Sequence, residues 1–208
     1  MTPFTIERNH VLSENIQGFY HTDFGGTQLP NNPNYLYKFK NDPHHNWSEY
    51  RLQEAQQQLL RVLIIDLPDV QARLNTNPLT VCVIPRAKAD ITYRPNQLLF
   101  KATIRNVVNQ LGDNFLDGTN YIVRHTNTKT THLRRPMDGY VNDGPEPYTG
   151  ISPDTCNFSN NIIGNDILLI DDIYTRTVNI DEDMIQSLLN IGANSVTFYA
   201  IGKTIYNH

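Results

Sequence analysis

The sequence from Asn165 to Ile201, NDILLIDDIYTRTVNIDEDMIQSLLNIGANSVTFYAI, carries the clearest structural pattern in the chain. Its apolar residues predict a buried strand over Asp166–Ile170, an amphipathic helix over Ile180–Ile191 and a second strand over Ser195–Ile201. A strand, a helix and a further strand in this order are typical of a βαβ unit, whose two strands lie parallel in one sheet. The segment therefore predicts an α/β fold.

The same alternation of strand and helix extends upstream. Residues Leu79–Ile84 and Asn120–His125 are predicted strands, and Asn96–Leu111 is a predicted helix between them. Together these elements predict a parallel sheet with helices on both faces. Ligands bind such sheets beyond the carboxyl ends of the strands. The residues that follow Ile84, His125 and Ile170 should therefore converge on one site.

The N-terminal part of the chain has a different composition. Residues 1–76 are predicted to form a small strand and helix appendage, serving as a hood or an interaction surface, and residues 77–208 the α/β core. Short strands over Gly18–Phe24 and Tyr35–Phe39 are expected to pair as a hairpin-like flap.

A helix is expected before the core, and a long loop within it. Residues 46–67 are rich in good helix formers, with Ser48 placed to cap the helix and Pro68 to end or kink it. Residues 126–160 contain four prolines and three glycines and show no convincing helix or strand. Long stretches without regular structure inside a domain tend to be functional loops.

The composition is that of an ordinary globular protein. The 208 residues have a net charge of −4, a hydrophobic share of 39% and no apolar run long enough to span a membrane. This charge excludes a general attraction to nucleic acid, so such a contact would need a local basic patch. The opening residues lack a secretory signal pattern, and Cys82 and Cys156 are too few for a disulfide scaffold. A cytoplasmic location is therefore expected.

Two adjacent carboxylates follow the predicted strand Asp166–Ile170. Asp171 and Asp172 could hold sugar hydroxyls, either directly or through Mg²⁺. The turn Tyr174–Asn179, which follows them, offers backbone N–H groups and hydroxyls at the start of the predicted helix. Such an arrangement is suited to binding a phosphate group.

The run ILLIDDIYTRTVN resembles the PRPP-binding motif of the type I phosphoribosyltransferases: four apolar residues, two acids and a small-residue loop that opens a helix. It looks closest to ComF-like and stand-alone amidophosphoribosyltransferase-like domains. The resemblance covers residues 78–204 and implies a phosphoribosyltransferase-like, Rossmann-like parallel sheet. It also implies that Asp171 and Asp172 bind the ribose hydroxyls of PRPP, with Mg²⁺. The implied 5′-phosphate loop consists of Thr175, Arg176, Thr177, Val178 and Asn179.

The loop departs from the family pattern Thr-Thr-Gly-x-Thr. Thr177 replaces the glycine, which would permit positive φ and close approach of the backbone to phosphate, and Asn179 replaces the final threonine. The next helical turn carries three acids, which favour the helix dipole but repel a phosphate, while Arg176 could compensate. Asn179 and Glu182 could also form a capping pair. The three acids are Asp181, Glu182 and Asp183.

Basic residues follow the two other predicted strands. By the resemblance, the loop Arg86, Ala87 and Lys88 would hold pyrophosphate. A basic loop over residues 124–135 would be the flexible catalytic loop, which screens the charge of departing pyrophosphate. An equally weighted alternative is a basic loop that contacts an acidic protein or nucleic-acid phosphates. Its basic residues are Arg124, His125, Lys129, His132, Arg134 and Arg135.

Two functions remain open. The first is Mg²⁺-dependent transfer or cleavage of a ribose-phosphate glycosidic linkage, with Asp171, Asp172, Lys129 and Arg134 as catalytic residues and Arg124 among the phosphate-binding ones. The alternative is an inactive module that senses a nucleotide or binds a protein or nucleic acid, as in bacterial competence or phage-defence systems. The oligomeric state stays open, a homodimer included. The acceptor base would stack on N-terminal aromatic residues: Phe19, Tyr20, Phe24, Tyr35 and Tyr37.

Overall fold

A computed structural model describes residues 1–40, 47–130, 141–176 and 178–205 of the chain. Its strands are β1 (Thr2–Ile6), β2 (Ile16–Phe24), β3 (Leu79–Val83), β4 (Phe115–Asp117), β5 (Ile122–Arg124), β6 (Cys156–Phe158), β7 (Asp166–Tyr174) and β8 (Ser195–Thr204). Its helices are α1 (Leu36–Lys40), α2 (Glu49–Leu74), α3 (Leu99–Leu111), α4 (Ile151–Thr155) and α5 (Ile180–Ile191).

A central six-stranded sheet organises the fold, which is mixed α/β and mostly parallel as the sequence predicts. The strand order is β1-β2-β8-β7-β3-β4, and only the β1–β2 pair is antiparallel. After β3 the chain passes through α3 to β4 on one side, whereas β7 lies on the other side of β3. The strand order therefore reverses between β3 and β7, and a crevice is expected at their carboxyl ends.

Helices cover both faces of this sheet. On one face, α2 and α3 pack over alternate residues of the central strands, such as Val81, Leu168 and Tyr199. On the other face, α5 packs over residues such as Leu169 and Phe198. All five residues of β3 are buried, as expected of a strand enclosed between two helical layers.

The long helix α2 forms because capping and apolar spacing agree. Ser48 accepts a hydrogen bond from Arg51 N at its start, as the sequence predicts. The expected end at Pro68 is wrong, since α2 continues to Leu74. Proline removes one backbone hydrogen bond from the helix. The apolar face of α2 nevertheless continues past Pro68 to the buried Val70, and its packing offsets the lost hydrogen bond. The buried apolar residues are Leu52, Ala55, Leu59, Leu63, Leu67 and Val70.

The N-terminal residues form part of the same sheet. Strand β2 confirms the strand expected over Gly18–Phe24 and pairs in parallel with β8. The strand predicted over Tyr35–Phe39 is wrong, because this stretch contains the helix α1, with Leu36 and Phe39 buried. The predicted division after residue 76 falls in the turn between α2 and β3, and both sides of it supply strands to one sheet.

The middle of the chain differs most from expectation. The strand predicted over Asn120–His125 is shorter, and as β5 it pairs with β6 in a separate two-stranded sheet. The sheet position next to β3 belongs to β4 instead. Residues 126–160, expected to lack regular structure, contain α4 and β6. Among the described residues, no helix combines the length and apolarity that a membrane span requires.

Candidate functional site

A cleft of about 760 Å³ opens at the carboxyl ends of β3 and β7, where the strand order reverses. We call it the switch-point cleft. Residues 85–88 after β3, Asp171 and Asp172 of β7 and segment 127–130 line it, so the residues that follow Ile84, His125 and Ile170 converge as predicted. Its lining holds six basic side chains and three carboxylates, in a protein whose net charge is −4. The basic residues are Lys40, Arg86, Lys88, Arg94, Arg124 and Lys129, and the acids are Asp143, Asp171 and Asp172.

The two adjacent acids lie within β7 and not after it, because this strand continues to Tyr174. Successive strand side chains point to opposite faces, and their contacts differ accordingly. The Asp172 carboxylate lies 3.6 Å from Lys40 Nζ on the α1 side. Asp171 is hydrogen-bonded to Asp181 on the α5 side. Both aspartates nevertheless line the switch-point cleft.

Asp171 has an unusual protonation equilibrium. Burial, followed by repulsion from Asp172, raises its pKa to about 7. Burial and the charge of Asp171 also raise the pKa of Asp181, which is only 5% exposed. Asp171 therefore gains or loses a proton near neutral pH, so its hydrogen-bonding capacity depends on pH in this range.

The start of α5 is arranged differently from the expected capping pair. Asn179 has a φ of 55° and makes no side-chain capping bond, so the predicted Asn179–Glu182 pair is wrong. Glu182 instead accepts a hydrogen bond of 2.9 Å from the Tyr174 hydroxyl, and burial raises its pKa. Asp183 accepts from the backbone amides of Gly150 and Ser152. Glu182 thus contacts β7, whereas Asp183 contacts the segment that opens α4.

The predicted 5′-phosphate loop lies beside the switch-point cleft. Thr175 contacts the Thr204 hydroxyl at 2.8 Å, and Val178 N donates to Thr175 O. Arg176 lies 3.7 Å from Glu7 and lines a second cleft of about 550 Å³. Of the loop residues that the structure describes, none lines the switch-point cleft, and Thr177 lies outside the described residues.

Arg86 and Arg124 build the wall of the cleft. The Arg86 guanidinium donates to the backbone carbonyls of Phe39, Lys40 and Gln97 and lies 4.6 Å from the Tyr93 ring centroid. Arg124, 4% exposed, donates to Arg86 O. Both arginines therefore fix local structure while adding positive charge to the cleft.

Two of the three lysines that line the cleft, Lys88 and Lys129, are paired with acids that follow residue 140. Lys88 Nζ donates to the Asp143 carboxylate at 2.7 Å, and Lys129 Nζ donates to Glu146 at 2.8 Å. Ala87 O accepts two hydrogen bonds from Thr128, which ties the loop after β3 to segment 127–130. Arg134, like the rest of residues 131–135, lies outside the described residues.

The aromatic lining of the cleft is not the predicted one. None of the five residues expected to stack a base lines it; Phe19 and Tyr35, for example, are buried in the core. Sequence reasoning also missed Lys40 and Asp143, which lie far from the motif along the chain. The aromatic residues that do line the cleft are Phe39, Tyr93 and Phe100.

The donor set fits Mg²⁺ only together with a ligand. Asp171 and Asp172 point to opposite faces of β7, and the described residues contain no group of three or more side chains suited to hold a metal. Mg²⁺ is usually bound by one or two carboxylates together with substrate phosphates and water. Asp172, with its carboxylate at the cleft, would hold an ion that a phosphorylated ligand brings.

Comparison with known proteins adds no family assignment. No family model matches the sequence, and no curated protein is found to match it.

Proposed function

We propose that the chain binds PRPP or a nucleotide, together with Mg²⁺, in the switch-point cleft and transfers or cleaves a ribose-phosphate glycosidic linkage. The supporting observation is that two groups line this cleft from neighbouring strands. The Asp171–Asp172 pair lies on β7, and the basic loop Arg86–Lys88 follows β3, on the other side of the point where the strand order reverses. A ligand that carries hydroxyls at one end and phosphates at the other matches this polarity. The charge of the lining, positive in an acidic protein, supports the same ligand class.

The proposed chemistry requires few reactive groups. Carboxylates at Asp171 and Asp172 would accept hydrogen bonds from the ribose hydroxyls and stabilise positive charge that develops on the sugar ring. Lys88 and Lys129 would bind the departing pyrophosphate. Bound Mg²⁺ would neutralise phosphate charge. Arg86 and Arg124 would keep the cleft wall in place, so that positioning and charge stabilisation supply most of the rate enhancement.

Asp172→Asn is expected to weaken binding of PRPP with Mg²⁺ at least ~10-fold, because a neutral amide accepts sugar hydroxyl bonds more weakly than a carboxylate. Isothermal titration calorimetry at pH 8, above the pKa of about 7 of Asp171, measures this change. Asp113→Asn is the matched control, since Asp113 is exposed in the turn before β4, at the opposite end of the sheet. Absence of PRPP and nucleotide binding to the folded protein at millimolar ligand would overturn the proposal.

A second candidate function is nucleotide sensing without transfer. It is favoured by the three buried carboxyl groups at the start of α5, of which Asp181 and Glu182 are the nearest in sequence to the predicted phosphate loop. Their charge opposes a 5′-phosphate there. Release of pyrophosphate from PRPP in the presence of nucleobases supports transfer, whereas tight ligand binding without release supports sensing. The predicted protein or nucleic-acid partner of basic loop 124–135 stays a prediction.

A further inference from the structure

A short segment, Asn142–Glu146, lies against residues 127–130 at the switch-point cleft. We call this segment the strap. Lys129 N donates to Pro145 O at 2.9 Å, and Thr130 N donates to the Asn142 side chain at 2.7 Å. The strap is therefore held to the cleft by backbone and side-chain hydrogen bonds at both of its ends.

Gly144 makes the close approach of the strap possible. Its φ of +96° lies in the region that favours glycine, and an added Cβ would lie 2.2 Å from the carbonyl oxygen of Asn127. A side chain at this position would force the strap away from segment 127–130. Gly144 thus allows the neighbouring Asp143 to reach into the cleft.

Lys88 Nζ donates to the backbone carbonyl of Asp143 at 2.6 Å, and it also binds the Asp143 carboxylate, which lies where an external anion could bind. Asp143 Oδ1 accepts a hydrogen bond from Lys88 Nζ at 2.7 Å, and its Oδ2 accepts one from Asn127 Nδ2 at 2.9 Å. Lys88 is 7% exposed, so its ammonium group requires a counter-ion. Three residues further on, at the end of the strap, Glu146 accepts a hydrogen bond from Lys129, another lysine of the cleft.

We propose that the strap is an autoinhibitory contact, in which the Asp143 carboxylate occupies the place at Lys88 that a phosphate group of the ligand takes. This inference rests on the proposed function. A carboxylate and a phosphate cannot share one buried ammonium group without strong mutual repulsion. Ligand binding therefore displaces Asp143, and the free energy of strap docking lowers the apparent affinity.

Asp143→Asn should increase the affinity for inorganic pyrophosphate by about tenfold, because the amide keeps the size of the side chain but loses the competing charge. Isothermal titration calorimetry of the full chain with pyrophosphate measures this change. Asp154→Asn, an exposed aspartate on α4, alters the net charge equally and should leave the affinity unchanged. Gly144→Ala should also increase the affinity, since the added methyl group forces the strap away from segment 127–130 without changing any charge.

The outcomes separate the two proposals. Equal or weaker pyrophosphate binding by folded Asp143→Asn, relative to the unmodified chain, would show that Asp143 is only a structural counter-ion of Lys88 and would overturn the strap inference. Failure of PRPP, nucleotides and pyrophosphate to bind any of the proteins would instead overturn the proposed function. If Gly144→Ala does not fold, Asp143→Asn alone decides.

Discussion

Asp66→Ala is expected to lower the free energy of unfolding by about 3 kcal/mol, the range seen when one partner of a buried polar cluster is removed. Asp66 lies on α2, facing the sheet, and is 4% exposed. Its Oδ2 accepts a hydrogen bond of 2.7 Å from the Tyr199 hydroxyl and lies 2.9 Å from His21 Nδ1. Alanine would leave the Tyr199 hydroxyl buried without its acceptor. Urea denaturation at pH 7 measures the loss.

Asp69→Asn on the same helix is the matched control, because Asp69 is half-exposed and pairs with Arg73 at the surface. It should change the stability by less than about 0.5 kcal/mol. Tyr199→Phe removes the donor together with its need for an acceptor, so the double variant with Asp66→Ala should lose less stability than the sum of the two single changes. An Asp66→Ala effect as small as that of Asp69→Asn would contradict the assignment.

The contribution of Asp66 should also depend on pH. Burial alone would raise the pKa of Asp66, but hydrogen bonds from His21 and Tyr199 outweigh it and hold the pKa below its usual value. A lowered pKa means that the native state binds this proton more weakly than the unfolded chain does. The stabilisation is therefore present above the unfolded pKa of about 4 and is lost as the pH falls through the native pKa. The difference in free energy of unfolding between the unmodified chain and Asp66→Ala should therefore shrink below pH 4.

The elements with long, regular patterns could be predicted from the sequence. Strand β7, helix α5 and strand β8 carry strong periodicity, and Gly192, with a φ of 107°, ends α5 where a left-handed residue is needed. By contrast, β4 has only three residues, too few for a pattern, while the apolar residues of Asn120–His125 resemble a core strand. Pairing in the central sheet depends on contacts distant in sequence, which local pattern does not contain.

The residues of the candidate site also fall into two groups, those that the sequence predicts and those that it does not. The acids of β7 and the basic loop after β3 are local motifs, and the rule on the carboxyl ends of parallel strands brings them together. Asp143 reaches the cleft from an irregular segment and Lys40 from the end of the short helix α1, and the position of both depends on tertiary packing. The hypothesis of stacking aromatic residues failed because a buried core aromatic and an exposed base-binding one look alike in sequence.

Asp181→Asn is expected to raise the free energy of unfolding by about 2 kcal/mol at pH 8 and to change it little at pH 4. The carboxyl group of Asp181 is buried and faces Asp171, and within the described residues its Oδ1 has no hydrogen-bond partner. At pH 8 the native state must either hold both charges in a poorly hydrated place or keep a proton that the unfolded chain releases, and either choice costs stability. One unit of pKa shift corresponds to roughly 1.4 kcal/mol, and solvent screening reduces the full effect.

The sign of this pH dependence follows from the direction of the shift. The native pKa of Asp171, about 7, is raised, so the native state holds the proton more tightly than the unfolded chain. The stability that this proton contributes to the native state is fully present below the unfolded pKa of about 4. It is lost as the pH rises through the native pKa of about 7. With asparagine at position 181, one of the two shifted groups is gone and the pKa of Asp171 should fall. Urea denaturation at pH 4 and pH 8 gives the stability, and NMR titration of the Asp171 carboxyl carbon gives its pKa.

The same substitution connects stability with ligand binding. If Asp171 must be ionised to accept ribose hydroxyl bonds, PRPP affinity in the unmodified chain should increase as the pH rises through about 7. Asp181→Asn should move this increase to lower pH, since Asp171 then ionises more readily. Asp154→Asn should alter neither the pH profile nor the stability. Asp181→Asn could instead raise the stability and leave the pH dependence of PRPP affinity unchanged. That result would mean that Asp181 has only a structural role and that Asp171 does not bind the ribose.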